Sequence, residues 1–149
     1  MCLVPVSMPM VAPLVIKLAT TSTEGKKLTI LNDVPEELVI HTDRERLNFI
    51  IRNLISNALK FTQSEGLIRV SYDPFGKGKI QIIDNGVGMN QSRLESIFSR
   101  KMGASKGTDG EKGSGVGLLL CKEFAESLGA SLEVVSKENE GSTFTINLG

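Results

Sequence analysis

The sequence predicts an α+β fold in which a layer of helices covers one face of a mixed, largely antiparallel sheet. Two observations lead to this expectation. Two pairs of alternating apolar segments are each joined by a short turn, the pattern of a β-hairpin. A longer segment with the 3.6-residue apolar period of an amphipathic helix precedes each pair. Because the strands come mostly in hairpins, this arrangement fits better than a doubly wound parallel sheet.

The first helix is predicted after a strand at residues 27–32 and the turn sequence NDVPEEL. The sequence from Thr42 to Glu45 has the form of a capping box, in which Thr42 caps the helix and Glu45 reaches back. The apolar residues that follow have the spacing of one core-facing stripe: Leu47, Ile50, Ile51, Leu54, Ile55 and Ala58.

The two hairpins and the second helix follow along the chain. Residues 67–72 and 79–83 are expected to pair through the turn DPFGKG, and residues 132–136 are expected to pair with 142–148. Residues 93–98 indicate a short helix. The second amphipathic helix carries Val116, Leu120, Phe124 and Leu128, and Gly129 is placed to end it. One face of the last strand carries Phe144, Ile146 and Leu148.

Length and charge limit the class of protein. A chain of 149 residues is expected to form one domain. Its 17 basic and 17 acidic residues balance, which argues against nucleic acid or an anionic membrane as the main partner, since both attract a positive excess. The two cysteines, Cys2 and Cys121, have no metal-ligand spacing, and Cys121 shares a helix face with Ala125 as a small core residue would. We expect a reduced, cytoplasmic chain.

The first 16 residues, MCLVPVSMPMVAPLVI, are apolar but do not predict membrane insertion. Pro5, Pro9 and Pro13 interrupt a helix, the run is short for a span, and no basic residue precedes it. We expect residues 1–10 to be a leader or an expression-derived segment, and residues 11–149 to form the domain.

Two asparagines in the first helix are unexpected, because asparagine is a poor helix former. At roughly 100° per residue, Asn53, Asn57 and Lys60 fall within an arc of roughly 60° beside the apolar stripe. An amide oxygen is a neutral ligand for Mg²⁺, and a lysine can hold a phosphate. The alternative is that these residues form the solvated edge of a surface helix.

A second polar element ends an apolar strand. In IQIIDNGVGM, Asp84 follows the strand, and Gly86 and Gly88 come next. A carboxylate in this position can accept a hydrogen bond from an exocyclic amino group such as that of adenine, and the glycines let the backbone approach a flat ring. As the alternative, Asp-Asn-Gly is a common turn sequence.

A third element is rich in glycine. Residues 103–117 contain six glycines, which predicts a mobile loop, and the loop leads through GSGVGLLL into the second amphipathic helix. Free N–H groups at a helix start can bind an anion. The spacing is neither that of a Walker loop nor that of a dinucleotide fingerprint, so alone it is weak.

In this order the three elements resemble the N, G1 and G2 boxes of the GHKL ATPase superfamily. Within it, residues 11–149, including the terminal GSTFTINL, resemble the catalytic ATP-binding domain of a bacterial sensor histidine kinase. The resemblance implies a two-layer α/β sandwich, the Bergerat fold, with ATP held between the sheet-backed helices and a mobile lid. It also implies two-component signal transduction.

The resemblance assigns roles to the polar edge of the first helix. Asn57 would coordinate Mg²⁺, and Asn53 would support the phosphates and the metal. Lys60 would reach the phosphates, and Phe61 would line the adenine pocket. Asn53, Asn57 and Lys60 are thus the residues expected to carry catalysis.

The resemblance also assigns the adenine pocket and the phosphate loop. Asp84 would bind the adenine amino group, while Gly86, Gly88 and Met89 shape the pocket. Thr143 matches a family position on the strand near the adenine. Phosphate would be contacted by the backbone amides of Gly113, Ser114, Gly115, Val116, Gly117 and Leu118.

Two features of the chain bear on the reaction. Hydrolytic relatives carry glutamate, a general base for water, where this chain has Asn53, and an amide cannot accept a proton at neutral pH. Transfer to a histidine, whose neutral imidazole is already nucleophilic, is therefore favoured. The phenylalanine box, however, usually holds two aromatics, and here Phe98 is followed by Lys101 and Met102. A nucleotide-gated binding module without transfer activity and a GHKL-type ATP hydrolase stay open as alternatives.

The phosphate acceptor is expected on another domain. His41 is the only histidine, and it precedes a helix that packs within the ATP domain itself. A surface or strand-end role is expected for it. The implied partners are ATP, the histidine-bearing dimerisation domain of the parent kinase and a downstream response regulator. Without that dimerisation domain we expect a monomer, in a parent protein that is cytoplasmic or membrane-anchored.

Overall fold

The computed structural model describes residues 4–7, 27–35, 39–74, 78–98 and 117–148. Three helices lie in these ranges: α1 (Arg44–Phe61), α2 (Gln91–Ser96) and α3 (Gly117–Ser127). The strands of the same ranges are β1 (Val4–Ser7), β2 (Thr29–Asn32), β3 (Val39–Thr42), β4 (Leu67–Asp73), β5 (Lys79–Asp84), β6 (Ser131–Lys137) and β7 (Gly141–Asn147).

Five of the described strands form one sheet in the order β2-β4-β5-β7-β6. The β2–β4 pair is parallel, and the other three pairs are antiparallel. The predicted mixed, largely antiparallel sheet and both predicted hairpins are therefore confirmed. Strand β5 is central, and its last residue, Asp84, lies opposite Ile68 on one side and Ser142 on the other.

A separate antiparallel ribbon pairs β1 with β3. Pro5 lies opposite His41 in it, and Val4 lies opposite Thr42. The sequence did not predict this ribbon, because residues 1–10 read as a segment outside the domain. The division into residues 1–10 and 11–149 stays a prediction, but Val4–Ser7 lies against β3.

The predicted capping box at the start of α1 is wrong. The N-cap is Asp43, whose carboxylate Oδ1 accepts a hydrogen bond from the Arg46 backbone N–H at 3.1 Å. Thr42 is instead the last residue of β3 and is buried. Because the cap lies one residue later than predicted, Arg46 occupies the position at which a box needs glutamate or glutamine. Glu45 lies in the first turn and is exposed.

The core lies between the helices and the sheet. All six predicted stripe residues of α1 are buried, and Leu59 joins them. Helix α1 packs against α3 and β5, and α3 packs against β6, which gives the expected two layers. The α3 face that meets this core carries Cys121 and Ala125, both fully buried as predicted. Each large aliphatic side chain removed from water contributes about 1.5–3 kcal/mol.

The remaining helices end close to their predicted bounds. Helix α2 begins two residues before its predicted start, because the Asn90 side chain caps it by accepting a hydrogen bond from the Arg93 N–H at 2.9 Å. Gly129 follows α3 with φ of 75°, as expected for a helix stop. The glycine-rich loop predicted at 103–117 lies outside the described residues, apart from Gly117. Within the described ranges, no helix is both long and apolar enough to cross a bilayer.

Candidate functional site

A cavity of about 40 Å³ lies where the last turn of α1 meets the end of β5. The cavity is open to solvent. Every layer of the fold contributes to the wall. The lining residues are Asn57, Ala58, Phe61, Asp84, Gly88, Met89, Arg93, Leu118, Ser142 and Phe144.

Asp84 is the acidic residue of the cavity. The residue is only 9% exposed, and its Oδ1 accepts a hydrogen bond from the Gly86 backbone N–H at 2.9 Å. Burial raises the pKa of the Asp84 carboxyl, and backbone hydrogen bonds from Gly86 and Ser142 partly offset that rise. The backbone therefore fixes a carboxylate at the end of the central strand, against mostly apolar walls.

The turn after Asp84 is packed on the C-terminus of α1. The Val87 N–H donates a hydrogen bond to the Phe61 carbonyl at 3.1 Å, satisfying one of the helix's terminal acceptors. A Cβ on Gly86 would overlap the same carbonyl oxygen. Gly86 does not line the cavity, and its lack of a side chain lets the turn pack closely against the end of helix α1.

Gly88 joins the turn to the other hairpin. Its φ is +65°, and a Cβ there would overlap the Lys137 carbonyl oxygen at the end of β6. Nearby, the Asn139 N–H donates to the Val87 carbonyl at 2.7 Å. The backbone of the β6–β7 turn thus lies directly against Gly88, which also lines the cavity.

Two serines complete this junction. Ser136 Oγ accepts a hydrogen bond from the Met89 N–H at 2.9 Å, donates to the Gly141 carbonyl at 2.9 Å and lies 2.8 Å from Ser142 Oγ. Because this network joins the turn to β6 and β7, the wall formed by Met89 and Ser142 is held in one arrangement.

The two asparagines of α1 occupy different positions. Asn57 lines the cavity. Asn53 lies one turn earlier and uses its Nδ2 to donate to the Phe49 carbonyl at 2.9 Å. A Cβ on Gly117 would come within 2.8 Å of Asn53 Oδ1, so the amide oxygen faces the first residue of α3.

Two cations contact the ring of Phe61. Lys60 Nζ lies 5.1 Å from the ring centroid, and Arg93 Cζ lies at the same distance. Such distances are typical of cation–π contacts. Phe61 and Arg93 both line the cavity, whereas Lys60 does not.

The structure brings many of the sequence-predicted residues together. Asn57, Phe61, Asp84, Gly88, Met89 and Leu118 all line the cavity. Asn53, Lys60, Gly86 and Gly117 lie around it without lining it. Outside the described residues lie Gly113, Ser114, Gly115 and Val116, and with them Lys101 and Met102 of the phenylalanine box.

Thr143 is not brought to the cavity. In the β5–β7 register Ser142 lies opposite Asp84, whereas Thr143 lies opposite Ile83. Successive side chains of a strand point to opposite faces, so Ser142 and Phe144 line the cavity and Thr143 does not. The alternation of GSTFTINL was visible in the sequence, but the choice of face needed the register with β5.

Sequence reasoning also missed Ala58 and Arg93 as lining residues. Ala58 belonged to the predicted apolar stripe and could have been found from its place one residue after Asn57. No spacing signal marked Arg93. His41 is exposed on β3, in keeping with its predicted surface role.

The described residues hold no cluster of three or more histidine, cysteine, aspartate or glutamate side chains suited to a metal ion. Asn57, the predicted magnesium ligand, is a lining residue of the cavity.

Comparison with known proteins gives a consistent family. Residues 42–149 match the family of histidine kinase-, DNA gyrase B-, and HSP90-like ATPases. The chain is 40% identical over 133 residues to the autoinducer 2 sensor kinase/phosphatase LuxQ of Vibrio vulnificus. It is 34% identical over 128 residues to the aerobic respiration control sensor protein ArcB of Escherichia coli. Each alignment covers 84% of this chain but only 15% and 16% of those relatives.

Solved structures show the same fold. The catalytic domain of the histidine kinase ThkA matches with a TM-score of 0.80 at 21% identity, covering 98% of this chain and 94% of that one. Full-length ShkA in complex with AMPPNP matches with a TM-score of 0.76 at 25% identity, and 97% of this chain covers 30% of it. The family match spans most of the chain, and it includes α1, the turn after Asp84 and the last hairpin. The chain therefore belongs to the histidine kinase-, DNA gyrase B- and HSP90-like ATPases, with the α+β fold of histidine kinase catalytic domains.

Proposed function

We propose that this domain binds ATP with Mg²⁺ in the cavity and transfers the γ-phosphoryl group to a histidine on a separate acceptor domain. The observation that carries the proposal is the buried Asp84 carboxylate, fixed by backbone hydrogen bonds inside a mostly apolar cavity. Family membership and the resemblance of the three boxes support it.

The cavity's chemistry fits a purine base. A buried carboxylate accepts a hydrogen bond from an exocyclic amino group, while Met89, Leu118 and Phe144 offer apolar contact to a ring. A base that offered a carbonyl oxygen at this point would meet a second acceptor, so adenine is favoured over guanine. The raised pKa of Asp84 means that burial disfavours its charge, and a ligand donor would restore part of the lost solvation.

The triphosphate would extend along the polar edge of α1. Asn57 lines the cavity, with an amide oxygen suited to Mg²⁺, and Lys60 lies at its margin beside Phe61. When bound, magnesium would supply charge neutralisation on the phosphates. The protein's own part is to position: Asp84 fixes the base, while Asn57 and Lys60 fix the phosphate end.

Transfer is favoured over hydrolysis by the chemistry of Asn53. Its Nδ2 is already bonded to the Phe49 carbonyl, and an amide cannot take a proton from water at neutral pH. In transfer, an imidazole nitrogen forms the N–P bond as the bond between the γ-phosphorus and the bridging oxygen of the ADP leaving group breaks. No base is needed to activate a neutral imidazole, so positioning and electrostatics supply the catalysis.

The whole-protein context is part of the proposal. This chain spans about 15% of the length of the sensor kinases it resembles. We infer a sensor kinase of a two-component system as the parent, with a histidine-bearing dimerisation domain and a response regulator as partners. We also infer a cytoplasmic location for this domain and a monomeric state when it is separate.

Two measurements test the proposal. Calorimetry should detect saturable ATP and ADP binding that Mg²⁺ strengthens, and Asn57→Ala should abolish the magnesium effect while leaving metal-free binding in place. With labelled ATP and an acceptor fragment, acid-labile phosphohistidine should form. Binding without transfer would identify a nucleotide-gated module, and steady phosphate release by the isolated domain would identify a hydrolase; either result contradicts the kinase proposal.

A further inference from the structure

Arg93 is the basic residue of the cavity wall, and no sequence motif marked it. It lies nine residues after Asp84, on helix α2, and its side chain is half-buried. A half-buried arginine in a cavity that also holds a buried carboxylate is uncommon on a merely solvated surface, because long charged side chains normally keep their heads in water.

Hydrogen bonds position the start of helix α2, which carries Arg93. The Arg93 N–H is bonded to the Asn90 side chain at 2.9 Å, and the preceding Met89 N–H is bonded to Ser136 Oγ at 2.9 Å. The Met89 bond therefore ties the segment before α2 to β6, and the Asn90 bond caps the helix. Asp84 is tied to the same region through Gly86 and Ser142. These bonds position the backbone at the start of α2 in the same region as Asp84.

Arg93 and Lys60 both contact the ring of Phe61. Both the Arg93 guanidinium carbon and Lys60 Nζ lie 5.1 Å from the centroid of the Phe61 ring. Phe61 and Arg93 both line the cavity, so this pair of side chains belongs to its wall. The planar guanidinium also offers two parallel donors, which suits a phosphate oxygen pair better than an ammonium does.

We propose that Arg93 is a nucleotide-binding residue whose guanidinium pairs with the phosphates, acting with Lys60 across the Phe61 ring. This inference rests on the proposed function, since it requires a nucleotide in the cavity. It adds a phosphate ligand on α2, in a part of the chain that none of the three sequence boxes covers.

The test compares ADP with adenosine, which lacks phosphate, in calorimetric titrations of wild type, Arg93→Ala and Arg93→Gln. Loss of a charge-assisted contact should weaken ADP binding by roughly tenfold to a hundredfold and leave adenosine binding unchanged. Arg69→Ala is the matched control, because Arg69 carries the same charge on β4 and forms an exposed ion pair with Asp33. It should change neither affinity.

The outcomes separate this inference from the proposed function. If wild type binds neither ADP nor adenosine, both fail. If wild type binds ADP and both Arg93 variants bind it equally well, only the role of Arg93 fails. Equal losses for ADP and adenosine would mean that the arginine contacts the base, which also overturns the phosphate assignment. Thermal unfolding of each variant identifies loss of fold, and Arg93→Gln retains most of the side chain's packing if the alanine variant is unstable.

Discussion

Asn53 and Asn57 each cost α1 up to about 0.7 kcal/mol of helix propensity relative to alanine. The structure shows a physical consequence at Asn53, whose amide bonds the Phe49 carbonyl of its own helix. Asn57 instead lines the cavity. Two residues of low helix propensity on one edge of an otherwise strong helix mark the site at the scale of single residues.

Asp84 gives a residue-scale prediction about pH. Burial raises its folded-state pKa above the ordinary value of 3.8, so the folded state holds the proton more tightly than the unfolded state. The contribution of Asp84 to stability is therefore fully present below that ordinary value. It is lost as the pH rises through the folded-state pKa and is constant above it.

For Asp84→Asn, we predict that stability relative to wild type increases from acidic pH to neutral pH. Nucleotide affinity should fall by roughly tenfold or more, since the amide offers the base a weaker acceptor than a carboxylate. Urea denaturation at several pH values and calorimetry with ADP would measure the two effects. An aspartate that served only the turn would give the opposite result: lower stability at neutral pH and unchanged affinity.

At the scale of elements, the turn between β5 and α2 is fixed from both sides. Val87 bonds the end of α1, and Gly88 packs against the last residue of β6. The two glycines to which the sequence assigned ring approach, Gly86 and Gly88, also allow close packing against the backbone of neighbouring elements. This explains how the turn holds Asp84 and Met89 in the cavity wall at the same time.

Substitutions at two glycines measure how tightly the turn after β5 packs against β6. Gly88→Ala should cost about 2–5 kcal/mol, from the left-handed backbone together with the overlap with the Lys137 carbonyl. Gly129→Ala is the matched control, because its φ of +75° is similar but no atom lies within 4 Å of the added Cβ. It should cost only about 1–2 kcal/mol. Equal midpoint shifts in urea would show that the turn does not pack tightly against β6.

The elements themselves were largely predictable. The 3.6-residue period identified six buried residues of α1, and only Leu59 was missed, because the apolar face spans roughly half of the helix surface. Both hairpins followed from alternation and turn residues. The predicted N-cap of α1 was wrong by one residue, because threonine and aspartate are both favourable N-cap residues. Only the pairing of β1 with β3 shows that Thr42 belongs to a strand.

At the scale of the whole molecule, the sequence predicted only those cavity residues that belong to a recognisable motif. The three boxes predicted Asn57, Phe61, Asp84, Gly88, Met89 and Leu118, which the fold brings to one cavity. Arg93 and Ser142 depend on tertiary position. Arg93 reaches the cavity because α2 packs beside Phe61. Ser142 lines the cavity, and Thr143 does not, because the register of β7 with β5 puts Ser142 opposite Asp84. The β1–β3 ribbon joins segments far apart in the chain, which local patterns do not reveal.

The most direct test of the central claim, that this cavity binds an adenine nucleotide, is backbone-amide NMR during titration with ADP and Mg²⁺. We predict saturable shifts at residues 57–61, 84–89 and 142–144, with the β1–β3 ribbon unaffected. For Asp84→Asn, the same titration should reach saturation only at higher ADP concentrations. Saturable binding that leaves residues 84–89 unmoved, or no saturable change at millimolar ADP, would contradict the account.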